Sequence, residues 1–354
     1  MKAIKFFLFV LLMIVFGESW SQLRVLDSLD RVKKEQYLAN RRLYIEERDD
    51  QWYIKPILTV RFLNLAIEDE DKKVNEIVYS PSSNNFFGFG LYLFDLSAEL
   101  SFKLPQNEDD RPSEVYGKTK SFDFQTNIYA KKWGADISFQ RYNGMYVENP
   151  SSHYDDWMLG DAYPIRDDLT LRYFQANAFY LFNNEKFSYR SPYIQADRQL
   201  KSQGSFLLSF LVSSFRFEAD TSLIPVKTQA AYPGNESLRK MRATTLAILP
   251  GYTYTLTAKG FYVNGSFSLG PGHLWTLYNR DDYEKEDIGF RPVVGLRGGF
   301  GYNGSKFFAG ATTNLLIVSS KIDNMNVNSR SGNIKFFIGL RFEEKGVMKN
   351  RLFN

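Results

Sequence analysis

Two histidines, His153 and His273, and no cysteine bound the chemistry open to this chain of 354 residues. Thiol catalysis, cysteine-ligated zinc and disulfide scaffolds are excluded, and two imidazoles cannot build a multi-histidine metal centre. The residues therefore ask for no cofactor and no metal. His273, in Gly270-Pro271-Gly272-His273-Leu274-Trp275, is the one weak catalytic candidate. It would need a serine facing it from a neighbouring strand, and no G-x-S-x-G elbow supplies one. A polar residue beside an interfacial tryptophan is the plainer reading. Gly299-Phe300-Gly301-Tyr302-Asn303-Gly304 fits the dinucleotide pattern G-x-G-x-x-G. That site requires a helix to follow, and Lys306 to Val318 reads as a strand, so the match is a hairpin turn. Acidic pairs at Asp109-Asp110, Asp155-Asp156, Asp167-Asp168 and Asp281-Asp282 could hold calcium or bridge to lipopolysaccharide through divalent ions. No EF-hand spacing accompanies them, and solvated loop charge accounts for them.

The remaining chemistry lies in charges interleaved with apolar residues at a spacing of two. Glu99, Asp123 and Asp136 are acidic positions of this kind, Lys103, Arg297, Lys335 and Arg341 are basic, and Gln125 and Gln140 are neutral. On strands they share one face, opposite the apolar one. Buried charges cost several kcal/mol unless paired or hydrated. These residues therefore predict either a salt-bridged interior or the lining of a narrow pore. The mix of signs favours the cross-linked interior over an ion-selective ring.

The elements that must position them are twelve alternating segments: 54–67, 84–93, 96–104, 120–131, 134–147, 169–182, 204–218, 243–257, 260–272, 289–302, 305–319 and 332–343. In 96–104, for example, Leu96, Ala98, Leu100 and Phe102 alternate with Ser97, Glu99, Ser101 and Lys103. Most segments reach the ~9–11 residues that cross a bilayer when tilted. The connections alternate in length. The long ones are 68–83, 105–119, 148–168, 219–242, 273–288 and 320–331. The short turns fall around Phe94-Asp95, Lys132-Trp133, Ala258-Lys259 and Asn303-Gly304, the last suited to a type I′ turn. Short turns at one end and long loops at the other are the habit of outer-membrane barrels. Pro250 predicts a bulge or kink in its strand. Arg141, on the apolar face, predicts a register change near the rim.

Composition agrees. Aromatic residues make up 16% of the chain, yet the mean hydropathy is −0.34. A helical membrane protein would be far more apolar, whereas a transmembrane β-barrel dilutes its aromatics with alternating polar residues. The formal charge of +4 offers no case for nucleic-acid binding. Met1 to Lys5 followed by the apolar run Phe6–Phe16 and small residues before Gln22 predicts a secretory signal cleaved after Ser21.

Residues 183–203 break the short-turn rule and could either plug the lumen or hang below it. Within them, Phe187-Ser188-Tyr189-Arg190, Gln199, Lys201-Ser202 and then Gly204-Ser205-Phe206-Leu207 resemble the core motif of a Bacteroidetes family catalogued as domain of unknown function 4421. Tyr79-Ser80-Pro81 with Gly88-Phe89-Gly90, Asp123 to Tyr129 with Lys132-Trp133, and Gly301-Tyr302-Asn303-Gly304 agree with that resemblance, which spans roughly 50–343. Ser82-Ser83 departs from it, standing where the family is expected to place Asn directly after Pro81. The resemblance implies an outer-membrane barrel and no particular reaction or ligand.

The expectation is an all-β, closed, antiparallel up-and-down barrel of about twelve strands over 54–343. A signal peptide (1–21), a partly helical periplasmic segment (22–53) and a periplasmic tail (344–354) complete it. Its expected partners are outer-membrane lipid, lipopolysaccharide and the barrel-assembly machinery, with no nucleic acid. Its role is that of a structural or binding barrel with a largely filled polar lumen, or of a narrow channel. The rivals are an outer-leaflet lipid hydrolase built on His273 and a soluble secreted all-β binding protein.

Overall fold

The computed structural model describes residues 28–71, 74–93, 96–280 and 283–344. The leader, the Phe94-Asp95 turn, Asp281-Asp282 and most of the C-terminal tail lie outside them. In chain order come α1 (Ser28–Tyr44), β1 (Ile45–Glu47), β2 (Gln51–Asp69), β3 (Ile77–Ser80), β4 (Asn85–Leu93) and β5 (Leu96–Lys103). Next are α2 (Ser113–Tyr116), β6 (Lys120–Tyr129), β7 (Trp133–Val147), β8 (Ile165–Leu181), α3 (Arg190–Tyr193), β9 (Asp197–Gln199) and β10 (Gln203–Glu218). The chain ends with β11 (Lys240–Ala258), β12 (Phe261–Arg280), β13 (Tyr283–Asn303), β14 (Phe307–Ile322) and β15 (Met325–Glu343). Residues up to Arg42 form a unit of their own, and all of the strands belong to the second unit, from Leu43 onward. No helix among the described residues is long and apolar enough to cross a membrane.

Twelve antiparallel strands, one for each predicted segment, form the wall. β15 pairs back onto β2, the pairing that lets the sheet return on itself. At one end β3 bridges β2 and β7 directly, through Leu65↔Tyr79 and Ser80↔Tyr146, so ten strands complete the ring there. At the other end β4, β5 and β6 widen the wall. β5 pairs with β4 and β6 with β7, and among the described residues no backbone ladder joins β5 to β6.

Alternation sets the faces. Along β10, Ser205, Leu207, Ser209 and Leu211 point inward, while Phe206 and Phe210 are 69% and 53% exposed. Phe89, Leu100, Phe124, Phe267, Phe300 and Phe336 continue this exposed apolar band around the wall. A soluble protein does not expose so continuous an apolar belt. Inside the band the wall sets polar side chains among buried apolar ones such as Ile57, Leu207 and Phe337.

Beyond the band, toward the ten-strand end, the polarity reverses. Leu65, Phe217, Leu171, Met241, Ile322 and Val327 turn inward and are fully buried, with polar neighbours outside. This reversal corrects two loop expectations. The segments 273–288 and 320–331 are ladder for most of their length, running Trp275↔Ile288 and Leu277↔Glu286 on one hairpin and Lys321↔Asn326 on the other. Glu286 on the first hairpin, and Lys321 and Arg330 on the second, take outward positions above the band.

Three local expectations also resolve. Pro250 causes no bulge. The β11–β12 register is the same on both sides of it (Ala247↔Gly272, Gly251↔Ser268), and only the ladder between is interrupted. The register change near Arg141 exists, at Gly144, whose φ of 83° suits glycine. The two-residue turn with both φ positive is Lys259-Gly260, not Asn303-Gly304. Asn303 instead turns its side chain inward.

Candidate functional site

The barrel interior is built in three layers. At the end opposite the apolar core, residues 183–203 fold back and fill the mouth. Ser188, Ser191, Gln195, Asp197 and Gln199 are all essentially inaccessible. One side chain organises the segment. Gln199 Oε1 accepts from Ser188 N at 3.0 Å, and its Nε2 donates to the carbonyls of Lys186 (2.7 Å), Lys201 (3.0 Å) and Tyr44 (3.2 Å). Ser188 Oγ donates to Asp197 at 2.5 Å. A short ladder of β9 with β1, from Ile45↔Gln199 to Glu47↔Asp197, tucks in beside it.

The wall holds this plug by its backbone. Arg341 Nη2 donates to Gln195 O (2.8 Å) and to Asn303 Oδ1 (2.7 Å), Asn303 Nδ2 to Asp197 O (2.9 Å), and the Tyr53 hydroxyl to Ile194 O. Gln195 sits at φ 58°, so the plug keeps a left-handed residue under these contacts. Arg190 reaches Tyr92 Oη at 2.5 Å and lies 3.4 Å from Asp49 and 3.8 Å from Asp197. The motif residues Phe187, Ser188, Tyr189, Arg190 and Gln199 thus form the plug. Lys201 lies over the Tyr44 ring, and Ser202 and Ser205 cap neighbouring backbone at Thr257 N and Asn183 N. Gly204 is required by space, since a Cβ there would meet Tyr252 Oη at 2.4 Å and Thr253 O at 2.7 Å.

The middle layer carries the predicted inward residues. Glu99 pairs with Lys55 at 3.0 Å and with Lys335. Asp123 faces Arg61 at 3.0 Å and accepts from Gln140 at 2.9 Å, and Gln140 accepts from Ser331 at 3.1 Å. Asp136 holds Arg297 and accepts from the Tyr129 hydroxyl at 2.6 Å. Asn333 donates to Gln125 at 3.2 Å, and Lys103 Nζ donates to Thr119 O. All nine predicted inward residues therefore face the interior. The cations missed are Lys55 and Arg61 on β2. Their shared parity with Thr59, opposite Ile54, Leu58, Val60 and Phe62, was the available signal. A cavity of about 80 Å³ remains among these residues, with a smaller one of about 30 Å³ beside it.

The third layer is the apolar core. Loop 219–239 enters it, burying Leu223, Ile224, Tyr232 and Leu238. Its base is tied at Asp168, whose Oδ2 accepts from Asp220 N at 3.0 Å and Thr221 N at 3.3 Å and pairs with Arg166 at 2.8 Å. The hydrogen bonds from Arg166 hold the Asp168 carboxyl at about 2, below the usual carboxylate range.

His273 is a correction. It faces outward between Trp275 (4.1 Å) and Phe290 (4.7 Å), and its cross-strand neighbours are Leu246 and Phe290. No serine stands beside it, so it is an aromatic-belt residue without a nucleophile to activate. His153 is buried in a loop, its Nε2 3.1 Å from Glu76 O, and burial lowers its pKa. Asp109-Asp110 and Asp155-Asp156 lie on loops, where Asp110 meets Asn107 at 2.5 Å and Asp155 meets Lys227 at 2.7 Å. Among the described residues no group of three or more carboxylates or imidazoles converges as metal ligands.

Residues 40–342 match a family described as Domain of unknown function (DUF4421). No curated protein matches the sequence. Among solved structures the chain is similar in outline to the outer membrane protease OmpT from Escherichia coli, with 8% identity, 84% of this chain and 98% of that chain covered, and a TM-score of 0.39. It is similar also to the attachment invasion locus protein Ail of Yersinia pestis bound to a heparin analogue, sucrose octasulfate (10% identity, 82% and 99% covered, TM-score 0.23). The Pseudomonas putida toluene transporter TodX is a third (7% identity, 82% and 89% covered, TM-score 0.26).

Proposed function

The chain belongs to the family described as Domain of unknown function (DUF4421), and we propose that it serves as an outer-membrane barrel with no open pore at rest, a structural or binding barrel rather than a diffusion porin. The supporting observation is that the lumen is filled at both ends, at one mouth by a plug that packs Phe187, Tyr189 and Ile194 against the wall and is hydrogen-bonded to it, and at the other by a packed apolar core. In this reading residues 1–21 are a leader cleaved after Ser21. The plug, the segment 22–53 and the tail 344–354 lie on the periplasmic side, and the ten-strand end faces outward. Leu340 and Phe342, both on the lipid face of the last strand, would be read by the barrel-assembly machinery.

Planar-bilayer recording of the refolded protein tests this. The expected trace is flat. Steady unit conductance from the unaltered protein overturns the reading. The polar cavity of about 80 Å³ favours one second reading, a narrow channel for small solutes that opens when the plug and the apolar core both give way. Proteoliposomes that swell in small sugars faster than protein-free liposomes would support it.

A further inference from the structure

Four arginines stand side by side on four consecutive strands of the wall. The register places Arg141 opposite Arg172, Arg172 opposite Arg216, and Arg216 opposite Arg242. All four alternate with inward residues and so point outward. Adjacent strands lie about 4.8 Å apart, so the row is roughly 15 Å long. One step outward along the strands come Lys120 and Lys240, the latter paired with Glu284 at 3.2 Å. One to two steps the other way, Phe139, Phe174, Val212 and Leu246 begin the lipid-facing band. The row therefore lies at the boundary between band and water, at the ten-strand end.

Like charges directly opposite each other in a sheet are destabilising. Protein groups do little to relieve them here. Glu218 meets Arg216 at 2.8 Å, whereas the side chains of Arg141, Arg172 and Arg242 make no hydrogen bond or ion pair among the described residues. Elsewhere on the wall an outward arginine is matched, as Arg330 is by Glu76 at 2.9 Å. A planar guanidinium pairs with a phosphate in two parallel hydrogen bonds, and weak hydration suits it to an interface.

We propose that this row is a binding site for the phosphorylated headgroup of an outer-leaflet glycolipid, its acyl chains lying along the band beneath. The row is too long for one phosphate, so a headgroup carrying two is the better match. The assignment rests on the outer-membrane reading above, because it needs the ten-strand end in the outer leaflet.

The test uses the full-length protein refolded in detergent, with lipid A as the probe and native mass spectrometry as the readout. The bisphosphorylated form should stay bound, and the monophosphorylated form should bind several-fold more weakly. The quadruple variant Arg141→Gln, Arg172→Gln, Arg216→Gln, Arg242→Gln should lose about tenfold or more in affinity, as expected for charge-assisted contacts. A heat-modifiability gel confirms that the variant folds. Its thermal stability supplies a second readout. Without anionic lipid the variant should unfold at a higher temperature than the parent, because repulsion is relieved, and with lipid A the order should reverse. Equal binding by parent and variant, no preference for the second phosphate, or displacement by soluble polyphosphate as readily as by lipid A would each overturn the proposal. Fractionation of cells tests the location separately. Recovery of the chain outside the outer membrane would defeat the outer-membrane reading, whereas recovery in it with no lipid preference would defeat the arginine site alone.

Discussion

At the scale of single residues, the interior depends on carboxylates that are each shared. Glu99 serves both Lys55 and Lys335 at the height of the apolar band. Glu99→Gln leaves two ammonium groups facing each other without a counter-charge. Breaking a buried pair in this way costs about 3–5 kcal/mol, and urea unfolding in micelles should show a loss of that order. Substituting Glu99 and Lys335 together by Gln and Met should recover part of it. Asp168 gives the pH prediction. Its carboxyl is held at about 2 in the folded chain, below the ~3.9 of a free aspartate. The stabilisation is complete above the unfolded value and disappears as pH falls through about 2. Loop 219–239 should therefore resist pepsin at pH 4 and become cleavable near pH 2, and Asp168→Asn should be cleavable at both.

At the scale of elements, two segments depart from a uniform barrel. In the plug, one glutamine satisfies one amide and three carbonyls. Gln199→Ala strands Ser188 N and the carbonyls of Lys186 and Lys201 at about 1–3 kcal/mol for each, whereas Tyr44 O keeps its bond from Leu200 N. Amide exchange should accelerate across 186–201 in that variant while β13 and β14 stay protected. The second segment is the junction of β5 and β6, where a ladder is missing within the band. Unpaired backbone is expensive in lipid. Amides on the facing edges of these two strands should exchange faster than any on β12 or β13, and equal protection would show that a ladder forms there in the bilayer.

At the scale of the whole molecule, the two seals act in series. Removing the plug residues 187–197 alone should leave bilayers silent, because the apolar core still blocks the far end, and removing 222–238 alone should do the same. Conductance is expected only when both are removed. A conducting single deletion would show that one seal is incomplete.

The twelve strands and the facing of Glu99, Asp123, Asp136, Arg297, Lys335 and Arg341 were legible in the sequence, because a period of two is a local property of the chain and the bilayer demands one apolar face. What the alternation could not show is that the apolar residues change face above the band. Leu65, Phe217 and Val327 read as further strand positions until a partner wall exists to bury them. For the same reason 273–288 and 320–331 resembled loops. The motif Phe187 to Ser205 stood out by residue type, but its place within the mouth depends on Arg341, Asn303 and Tyr53, which are 100 or more residues distant in sequence from the plug backbone they hold, and which only closure of the ring brings near. The arginine row is likewise invisible along the chain. Each arginine is one outward residue of its own strand, and only inter-strand register sets the four side by side. Periodicity along the chain thus settled what each strand is and which way its side chains point. Closure and register decided what fills the lumen and which charges meet, because those are contacts between residues far apart in sequence.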